Sequence, residues 1–283
     1  MTAQQKSQGP KPSLQEALNM RFEDAPSADI HGAEGLSGIA ARGSCRSFAD
    51  RAVPDDLVDL LCAVALSSPS KSDLQQRDIV VLRSAEQRAS LAGLVSGQAW
   101  VAGAPMLLVF CGNNRRQRLL HDWHELPFAN DHCDAPFNAA CDAAIALGAF
   151  VTAAEAVGLG CCPISAVRNE AQAVSALLDL PRHVFPFAGL ALGFPAGPPS
   201  ITMRLPLRLT CHMDRYCEEG LRDGVAAYDQ RRADSQPYGT QRLSARYGEA
   251  EGYGWSLDKA RQYSVPERAE FGAYMRAQGF CFD

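Results

Sequence analysis

Short apolar runs alternate with segments of helical periodicity from Pro54 to about residue 195, and this alternation constrains the fold more than any other feature. Runs rich in β-branched residues favour strands, whereas apolar residues three and four positions apart favour helices. The pattern therefore predicts an α/β or α+β architecture in which helices cover a sheet. We expect strands at 79–82, 105–111, 161–167 and 187–193, and helices at 14–22, 54–64, 85–94, 138–157, 169–178, 215–231 and 266–278.

The composition narrows the class of protein. The chain has 283 residues, of which 47% are hydrophobic and 21% charged. A chain of this length can bury a hydrophobic core without needing disulfide bonds or a structural metal. Its formal net charge of −5 gives no general attraction to nucleic acid or to an anionic membrane, and we expect neither as a partner. The polar lead-in of residues 1–12 lacks the apolar core of a signal peptide. The longest weakly polar stretch, 143–154, is too short to span a bilayer, which takes about 20 residues.

Ten cysteines are spread along the chain, and none of them forms a Cys-x-x-Cys motif. Several lie within apolar runs, where a free cysteine behaves as a small hydrophobic residue. This usage predicts reduced thiols and a cytoplasmic protein. The neighbouring pair Cys161 and Cys162 is accordingly interpreted as part of a core strand rather than as a redox pair.

The first of four polar clusters is Arg42-Gly-Ser44-Cys-Arg46. Side chains alternate along an extended chain, so Arg42, Ser44 and Arg46 would project to one side. Two guanidinium groups and a hydroxyl suit a phosphate monoester, whose dianion accepts several charge-assisted hydrogen bonds. The alternative is a solvated basic turn.

Three further clusters follow in order. Residues 67–75 form a loop that is dense in hydrogen-bonding side chains and leads to a strand, as the wall of a ligand site does. Small residues at Ser165 and Ala166 let a flat ligand lie against the backbone, although an ordinary helix-to-strand connection has the same composition. In the last cluster, 187–206, Arg204 leaves a loop rich in proline and glycine and supplies a third cation.

The order of these clusters resembles that of the nitroreductase superfamily of FMN enzymes. Residues 42–46 are similar to the family's Arg-x-Ser-x-Arg phosphate motif, and residues 69–75 to its Pro-Ser-x-Ser-Asn-x-Gln loop. Gln98 precedes an apolar strand, as a glutamine does in the family. Residues 158–169 resemble its Gly-Leu-Gly-x-x-x-Ile-small-small-x-Arg-Asn element, and residues 192–206 its closing elements. The spacing and the helical C-terminal third are most similar to the NADPH-dependent nitro/flavin reductase branch.

The resemblance implies an α+β fold, a three-layer sandwich in which helices flank a central, mainly antiparallel sheet. It implies an intertwined homodimer that binds one FMN at each of two interface sites. It further implies an N-terminal arm over residues 1–37, an FMN-binding core over 38–206, and a helical extension over 207–283 that wraps the dimer.

The implied function is that of an FMN-dependent NAD(P)H oxidoreductase. FMN accepts hydride at N5 from NADPH or NADH and passes electrons to a nitroaromatic, a quinone or a related small-molecule acceptor in ping-pong order. Because the flavin carries the chemistry, we expect no catalytic side chain. Two alternatives stay open. One is the same fold with dehalogenation, enone reduction or flavin fragmentation, and the other is a flavin-binding protein without turnover.

The resemblance also assigns cofactor contacts residue by residue. Cations and a hydroxyl hold the phosphate, polar side chains face the ribityl chain or the ring edge, and a short run lies along one ring face. The phosphate set is Arg42, Ser44, Arg46 and Arg204; the polar set is Ser70, Ser72, Asp73, Gln75 and Gln98; the ring-face run is Pro163, Ile164, Ser165 and Ala166.

The chain departs from the family's motifs at four places. Asp73 stands where the family usually has asparagine, and an ionised carboxylate donates no hydrogen bond and repels a reduced, anionic flavin. The neighbouring Lys71 is expected to compensate this charge. The other departures are Thr202 for a basic residue, Gln76-Arg77 for a Pro-aromatic pair, and Ser165-Ala166 for Gly-Gly, which narrows the approach to the flavin.

Residues 115–137 are polar and aromatic, and we expect them to be irregular. Within them we interpret residues 119–137 as a lid that determines substrate choice, as this stretch often does in the family. An ordinary surface loop is the alternative. Its expected substrate contacts are Phe128, His132 and Asp134. We expect no metal, because no known zinc spacing is matched by His121, His124, His132 and Cys133.

The C-terminal third offers a second basic site. Arg242 and Arg246 lie in its polar middle. In the reductase branch that the chain resembles, a basic residue of this arm grips the phosphate of the nicotinamide nucleotide, and these two arginines are the candidates.

Overall fold

The computed structural model describes residues 12–95 and 98–283, so all but the last residue of the lead-in expected at 1–12 lies outside the described residues. In chain order the helices are α1 (Leu14–Arg21), α2 (Ser37–Ala40), α3 (Asp55–Leu66), α4 (Ala85–Leu94), α5 (Arg115–Trp123), α6 (Asp134–Ala156), α7 (Ala171–Leu177), α8 (Leu221–Ser235), α9 (Ser244–Tyr247), α10 (Trp255–Tyr263) and α11 (Phe271–Ala277). The strands are β1 (Arg77–Leu82), β2 (Met106–Asn113), β3 (Gly160–Ile164) and β4 (Val184–Gly193).

The described residues fall into two compact units. The first contains the residues up to Gly43 together with Ser200–Glu267, and the second contains Ser44–Pro199 together with Arg268–Asp283. All four strands belong to the second unit, whereas the first unit is helical.

The strands of the second unit form one antiparallel sheet in the order β1-β2-β4-β3. Side chains of β2 alternate between its faces: the Phe110 ring lies 5.7 Å from the Phe150 ring of α6, whereas Val109 belongs to the same buried cluster as Leu91 of α4. Helices α3 and α6 cover one face, and α4 and α7 cover the other. A strand buried on both faces is apolar throughout, which explains the continuous apolar run of β2. The predicted three-layer α+β fold is confirmed.

Helix α6 begins four residues earlier than the sequence predicts, at Asp134 rather than Asn138. Pro136 lies in its first turn, where the missing N–H leaves no hydrogen bond unmade. The 23 residues of α6 have the length and apolar composition of a membrane-spanning helix. In its most apolar stretch of 18 residues, 39% of the residues are buried inside the protein. Ala146 and Phe150 are fully buried and pack against the sheet. In this respect α6 resembles the core helix of a globular domain.

Two other segments of the second unit differ from the prediction. Residues 115–137, expected to be irregular, contain α5 and the first turn of α6. Helix α5 has only three apolar residues among nine, so the sequence offers little apolar content from which to predict a helix. The strand expected at 161–167 ends at Ile164, because the chain turns there into a 3-10 helix, Ser165–Arg168. Cys161 and Cys162 are buried in β3 as expected, and the other eight cysteines are free thiols.

In the first unit, long-range contacts determine where the helices begin. The helix expected at 215–231 is α8, which starts only after an exposed loop that ends at Gly220. Helices α9 and α10 are not predicted by the sequence. The first turn of α10 is capped from α8, since the Ser256 N–H donates to the Asp229 carboxylate at 3.0 Å. A cap supplied by another helix leaves no local pattern in the sequence.

Candidate functional site

A buried carboxylate holds the polar loop of residues 70–76. Asp142 lies on α6 and has no exposed surface. Its Oδ1 accepts a hydrogen bond from the Lys71 N–H at 2.9 Å, and its Oδ2 accepts one from the Gln76 N–H at 2.8 Å. One side chain thus binds the loop near both of its ends. Asp142 is not among the residues expected at the site, although an acidic residue in the middle of an apolar helix is a signal for a buried polar contact.

Helix α5 holds the middle of the same loop. Gln117 Nε2 donates to the Leu74 carbonyl at 2.7 Å. Within the loop Ser72, Asp73 and Gln75 have φ angles of 48°, 55° and 52°. Residues other than glycine rarely adopt this left-handed conformation, and they keep it only where the surrounding structure holds it.

The polar side chains expected to face the cofactor lie on this loop. Ser72, Asp73 and Gln75 are exposed, whereas Ser70 is half-buried. Ser70 Oγ accepts a hydrogen bond from the Gln75 N–H at 3.2 Å, and Gln75 Nε2 donates to Asp73 Oδ1 at the same distance. The loop therefore presents two hydroxyls, an amide and a carboxylate to its outer side.

Lys71 was expected to compensate Asp73, and its ammonium lies elsewhere. Its Nζ is 3.5 Å from Asp134 Oδ2. The Asn138 amide donates to the same carboxylate at 2.6 Å, and these two donors hold the pKa of Asp134 below its usual range. Asp73 accepts its hydrogen bond from a neutral amide, so this contact does not balance its charge.

The expected ring-face run lies where β3 ends in a 3-10 turn. Ile164 and Ala166 are buried, whereas Pro163 and Ser165 are exposed. The first N–H groups of a helix have no acceptor within the helix, so this turn presents backbone donors at its start. Gly189 of β4 makes room for the turn, since a Cβ there would lie 3.0 Å from a side chain of the turn. Backbone donors and small side chains therefore meet at the end of β3.

Ser44 and Arg46 project from a segment that is bound to β3. The Cys45 N–H donates to the Cys161 carbonyl at 2.9 Å. The Cys45 side chain lies over Gly160, and burial raises the pKa of its thiol. Ser44 and Arg46, on either side of this half-buried residue, are both exposed, as the alternation of an extended chain predicts.

The Arg46 guanidinium is open to an anion. Its central carbon lies 5.8 Å from the centroid of the Trp100 ring. Among the described side chains, no carboxylate oxygen lies within 4.0 Å of its nitrogens. Gln98, expected to contact the cofactor, is half-buried at the start of the turn that carries Trp100.

In the first unit, Arg42 and Arg204 are connected through one buried arginine. Arg21 is 6% exposed, and its guanidinium donates to the Arg42 carbonyl and, at 3.1 Å, to the Thr202 carbonyl. The Arg204 N–H in turn donates to the Arg21 carbonyl at 2.7 Å. Arg21 therefore fixes the two backbone segments that carry expected phosphate ligands. No feature of the sequence distinguishes it from an ordinary basic residue at the end of a short helix.

The segment expected to form a lid is packed on itself. The Phe128 ring lies 4.6 Å from the central carbon of the Arg118 guanidinium. Arg118 also pairs with Asp131 at 2.5 Å, and this hydrogen bond lowers the pKa of the Asp131 carboxyl. Phe128 is half-buried as a result, and only part of its ring is available to a substrate.

His132 and Asp134, the other two expected substrate contacts, lie at the start of α6. His132 Nδ1 accepts a hydrogen bond from the Asp134 N–H at 3.3 Å. In the part of the chain that the structure describes, no group of three or more His, Cys, Asp or Glu side chains is arranged to hold a metal ion.

The sheet determines which parts of the site come together. Loop 70–76 leads into β1, and residues 163–166 span the last residues of β3 and the turn that follows it, so both lie at the same end of the sheet. Because β2 and β4 lie between these two outer strands, about 14 Å separates them. Ser44 and Arg46 lie beside the start of the same outer strand, because the Cys45 N–H donates to the carbonyl of Cys161, the second residue of β3. The second unit therefore presents its cofactor-facing groups at two separate places.

Comparison with protein families matches residues 39–194 to the profile described as the nitroreductase family. Residues 203–283 match the profile described as the nitroreductase family, C-terminal domain. The FMN reductase (NAD(P)H) of Bacillus subtilis is 31% identical over 250 residues, which cover 87% of this chain and 98% of that protein. The oxygen-insensitive NADPH nitroreductase of Salmonella typhimurium is 35% identical over 198 residues, which cover 69% of this chain and 80% of that protein.

Solved structures share the fold along most of the chain. NfrA2 of B. megaterium has a TM-score of 0.79 at 30% sequence identity, with coverage of 88% of this chain and 98% of that chain. The NADPH:FMN oxidoreductase of Vibrio harveyi, solved in complex with NAD+, has a TM-score of 0.74 at 28% identity. The match covers 87% of this chain and 97% of that chain.

Gly160→Ala is expected to destabilise the second unit and to displace the segment that carries Ser44 and Arg46. The new Cβ would lie 2.6 Å from the Cys45 sulfur, and overpacking of this kind costs about 1–3 kcal/mol. Thermal unfolding should show the loss as a lower Tm. Gly93→Ala is the matched control, because nothing lies within 4 Å of its Cβ position and alanine favours the helix. Equal Tm values for Gly160→Ala and the wild type would contradict the close packing of Cys45 on β3.

Proposed function

Because the chain belongs to the nitroreductase family, we propose that it is an FMN-dependent oxidoreductase that takes hydride from NADPH or NADH and reduces a nitroaromatic, a quinone or a related acceptor. The names of its relatives support the cofactors: FMN reductase (NAD(P)H) in Bacillus subtilis and NADPH-flavin oxidoreductase in Vibrio harveyi. The observation that carries the proposal is a set of donors along β3: an exposed guanidinium and hydroxyl lie beside its first residues, and a 3-10 turn, whose first N–H groups have no acceptor within the turn, follows its last residue.

This donor set fits the phosphate of FMN. Ser44 and Arg46 offer a hydroxyl and a guanidinium on one exposed edge, and a phosphate dianion accepts hydrogen bonds from both. Arg42 and Arg204 of the first unit are proposed as two further cations. Their backbones are held by Arg21, as described above, which limits the entropy that phosphate binding would cost.

Thr202, which stands where a basic residue is usual in the family, orients Arg204. Its hydroxyl and its carbonyl accept hydrogen bonds from Arg204 Nη1 at 2.6 Å and 3.1 Å. Thr202 therefore supplies no positive charge itself, but it holds the guanidinium of Arg204 in one orientation.

We assign the flavin ring to the surface at the end of β3 and its polar edge to loop 70–76. FMN, once bound, supplies hydride transfer between the nicotinamide and the acceptor. The N–H groups at the start of the Ser165–Arg168 turn and the loop hydroxyls would serve as hydrogen-bond donors to a bound, reduced flavin, which carries negative charge. Asp73 acts in the opposite sense, because its carboxylate only accepts hydrogen bonds and opposes added negative charge.

The first test is the visible spectrum of the purified protein, followed by its anaerobic response to NADPH and NADH. We expect a yellow protein with one FMN per chain whose flavin absorbance is bleached by at least one of the two nucleotides. A yellow protein that neither nucleotide bleaches would be a flavin-binding protein without turnover. A colourless protein that FMN does not reconstitute would contradict the cofactor assignment.

Arg46→Ala tests the phosphate contact in the same assay. A charge-assisted hydrogen bond contributes about 1.5–3 kcal/mol, so we expect FMN affinity to fall about tenfold or more in a fluorescence titration of the apoprotein. Arg51→Ala is the matched control. It also removes an exposed arginine near this segment, but that guanidinium stacks 3.7 Å from the Phe194 ring centroid. Equal FMN affinity in Arg46→Ala and wild type would remove Arg46 from the phosphate site.

Of the two arginines expected at the nicotinamide nucleotide, the contacts favour Arg246. Arg242 Nε lies 3.1 Å and 3.2 Å from the two carboxylate oxygens of Asp258, which is 1% exposed. Arg242 is therefore engaged within the arm. Arg246 is exposed, and the central carbon of its guanidinium lies 5.3 Å from the centroid of the Tyr247 ring. No carboxylate oxygen of a side chain that the structure describes lies within 4.0 Å of its nitrogens.

Arg246→Ala is expected to raise the KM for NADPH about tenfold and to leave the KM for NADH and the kcat nearly unchanged, because only NADPH carries the additional phosphate. Steady-state kinetics with both nucleotides measure this difference. Arg222→Ala, which removes an exposed arginine of α8, is the control. An equal rise in KM for NADPH and NADH would refute the assignment of Arg246 to that phosphate.

A homodimer is proposed in which a second copy of the chain covers the outer face of α6. The face of a surface helix opposite the core usually carries charged residues. Here Phe137 is 63% exposed and Ile145 42% exposed, and the positions in line with them are small or apolar. The adjacent helix α3 adds Leu60 and Val64, which are 57% and 46% exposed. A continuous exposed apolar surface of this kind is typical of an interface between subunits.

A dimer also accounts for the division of the cofactor groups. One chain presents these groups at two places, on the opposite outer strands β1 and β3. In a dimer, a group on β3 of one copy can also share a flavin with a group on β1 of the other copy. In this proposal residues 38–206 bind FMN, and residues 207–283 wrap the dimer together with the arm over 1–37.

Ile145→Glu is expected to shift the protein from dimer to monomer, because a buried unpaired charge at an interface is strongly unfavourable. Light scattering coupled to size-exclusion chromatography measures the mass. Ser90→Glu, which places the same charge on the exposed side of α4, should leave the mass unchanged. A monomeric wild type, or a dimeric Ile145→Glu, would contradict this interface.

A further inference from the structure

Asp142 carries a negative charge in a position without solvent. A buried carboxylate is stable only when it is both hydrogen-bonded and charge-balanced. Its two hydrogen bonds come from the Lys71 and Gln76 N–H groups, at 2.9 Å and 2.8 Å. Its counter-charge is Arg77, whose Nη1 lies 3.9 Å from Asp142 Oδ2. Both requirements are therefore met by residues of one short segment, 71–77.

Arg77 connects this carboxylate to the end of α3. It is 5% exposed, and its Nη2 donates to the carbonyls of Leu66 and Ser68 at 2.8 Å and 2.9 Å. Its Nε and Nη1 form no hydrogen bond among the described residues. The charge of Arg77 is thus balanced mainly through space by Asp142, and each of the two groups would be costly to bury without the other.

The loop between these anchors is conformationally demanding. Three of its residues adopt left-handed φ angles without being glycine, and such residues relax when the contacts around them are removed. The side chains assigned above to the flavin, Ser70 to Gln75, lie on this stretch of backbone.

We propose that Asp142, with Arg77 as its counter-charge, is the positioning residue that sets the geometry of loop 70–76 and thereby the affinity for the flavin. The proposal rests on the proposed function in one respect, namely that this loop contacts FMN. Gln76 and Arg77, which bind Asp142, stand where the motif that the chain resembles usually has a Pro-aromatic pair. The carboxylate here fixes the loop in place of the restricted backbone of a proline.

Asp142→Asn tests the clamp with little change in volume. A neutral amide has one oxygen and one NH2 group, so in either orientation one of the two loop N–H groups faces a donor instead of an acceptor. We expect the dissociation constant for FMN, measured by fluorescence titration of the apoprotein, to rise about tenfold or more. We also expect faster hydrogen exchange at the Lys71 or Gln76 amide.

The single variant leaves the charge of Arg77 buried and unbalanced, so it also lowers stability. Its loss of FMN affinity therefore does not by itself separate positioning of the loop from poor folding. The double variant Asp142→Asn with Arg77→Gln removes both charges. It should regain much of the Tm lost in the single variant, because no unpaired charge remains, and it should not regain FMN affinity, because the clamp is still missing. If Asp142 acted through stability alone, the double variant would regain both the Tm and the FMN affinity.

Asp258→Asn is the matched control for the loss of a buried carboxylate. Asp258 is 1% exposed and binds Arg242, Tyr253 and Lys259 in the first unit, and none of these residues belongs to loop 70–76. We expect a lower Tm with FMN affinity within about twofold of the wild type.

Three results would overturn the proposal: wild-type affinity in Asp142→Asn, recovery of affinity in the double variant, or fast exchange of both amides in the wild type. Failure of the proposed function looks different. In that case the wild type itself binds no FMN, while the exchange rates of Lys71 and Gln76 still report whether Asp142 holds the loop.

Discussion

Burial of the central strands on both faces is the constraint on which the rest of the structure depends. β2 and β4 are covered by helices on either side, so their side chains are committed to packing, as Phe110 and Val109 show. Polar groups are excluded from the middle of the sheet and collect where strands end. Loop 70–76 and residues 163–166 lie at one such end, because β1 begins and β3 ends there. The position of the site thus follows from the apolar pattern of the strands.

Charged residues divide into two classes by what they touch. Arg21 and Asp142 are more than nine-tenths buried and contact main-chain groups, which they hold at fixed positions. Arg46 and Arg204 are exposed, and each lies on a segment that is itself held in place. A hydrogen bond to a buried charge gains strength from the low local dielectric constant, whereas an exposed guanidinium keeps its hydration until a ligand replaces it. The buried charges therefore fix the backbone of the site, and the exposed arginines are the groups that can bind a ligand.

Local patterns were sufficient to predict the sheet and the motif residues. All four strands appear near their expected positions, and Ser44, Arg46 and the loop that carries Ser70 face outward, because alternation and turn chemistry are encoded in neighbouring residues. The residues that hold the site were missed for a different reason. Asp142 binds a residue 66 positions away, and Arg21 binds one 181 positions away. No periodicity reports a partner at such a distance, and the same is true of α5 and α10, which depend on polar contacts with other elements.

The departures from the family motif at 76–77 follow from the buried carboxylate. A proline at position 76 has no N–H, so it could not donate the hydrogen bond that Gln76 gives to Asp142. An aromatic residue at 77 would leave that carboxylate without the positive charge that Arg77 supplies. Gln76, Arg77 and Asp142 are therefore one physical unit: the donor, the counter-charge and the acceptor are each costly without the other two. A loop with three left-handed residues is held here by charge and hydrogen bonding, in place of the restricted φ angle of proline.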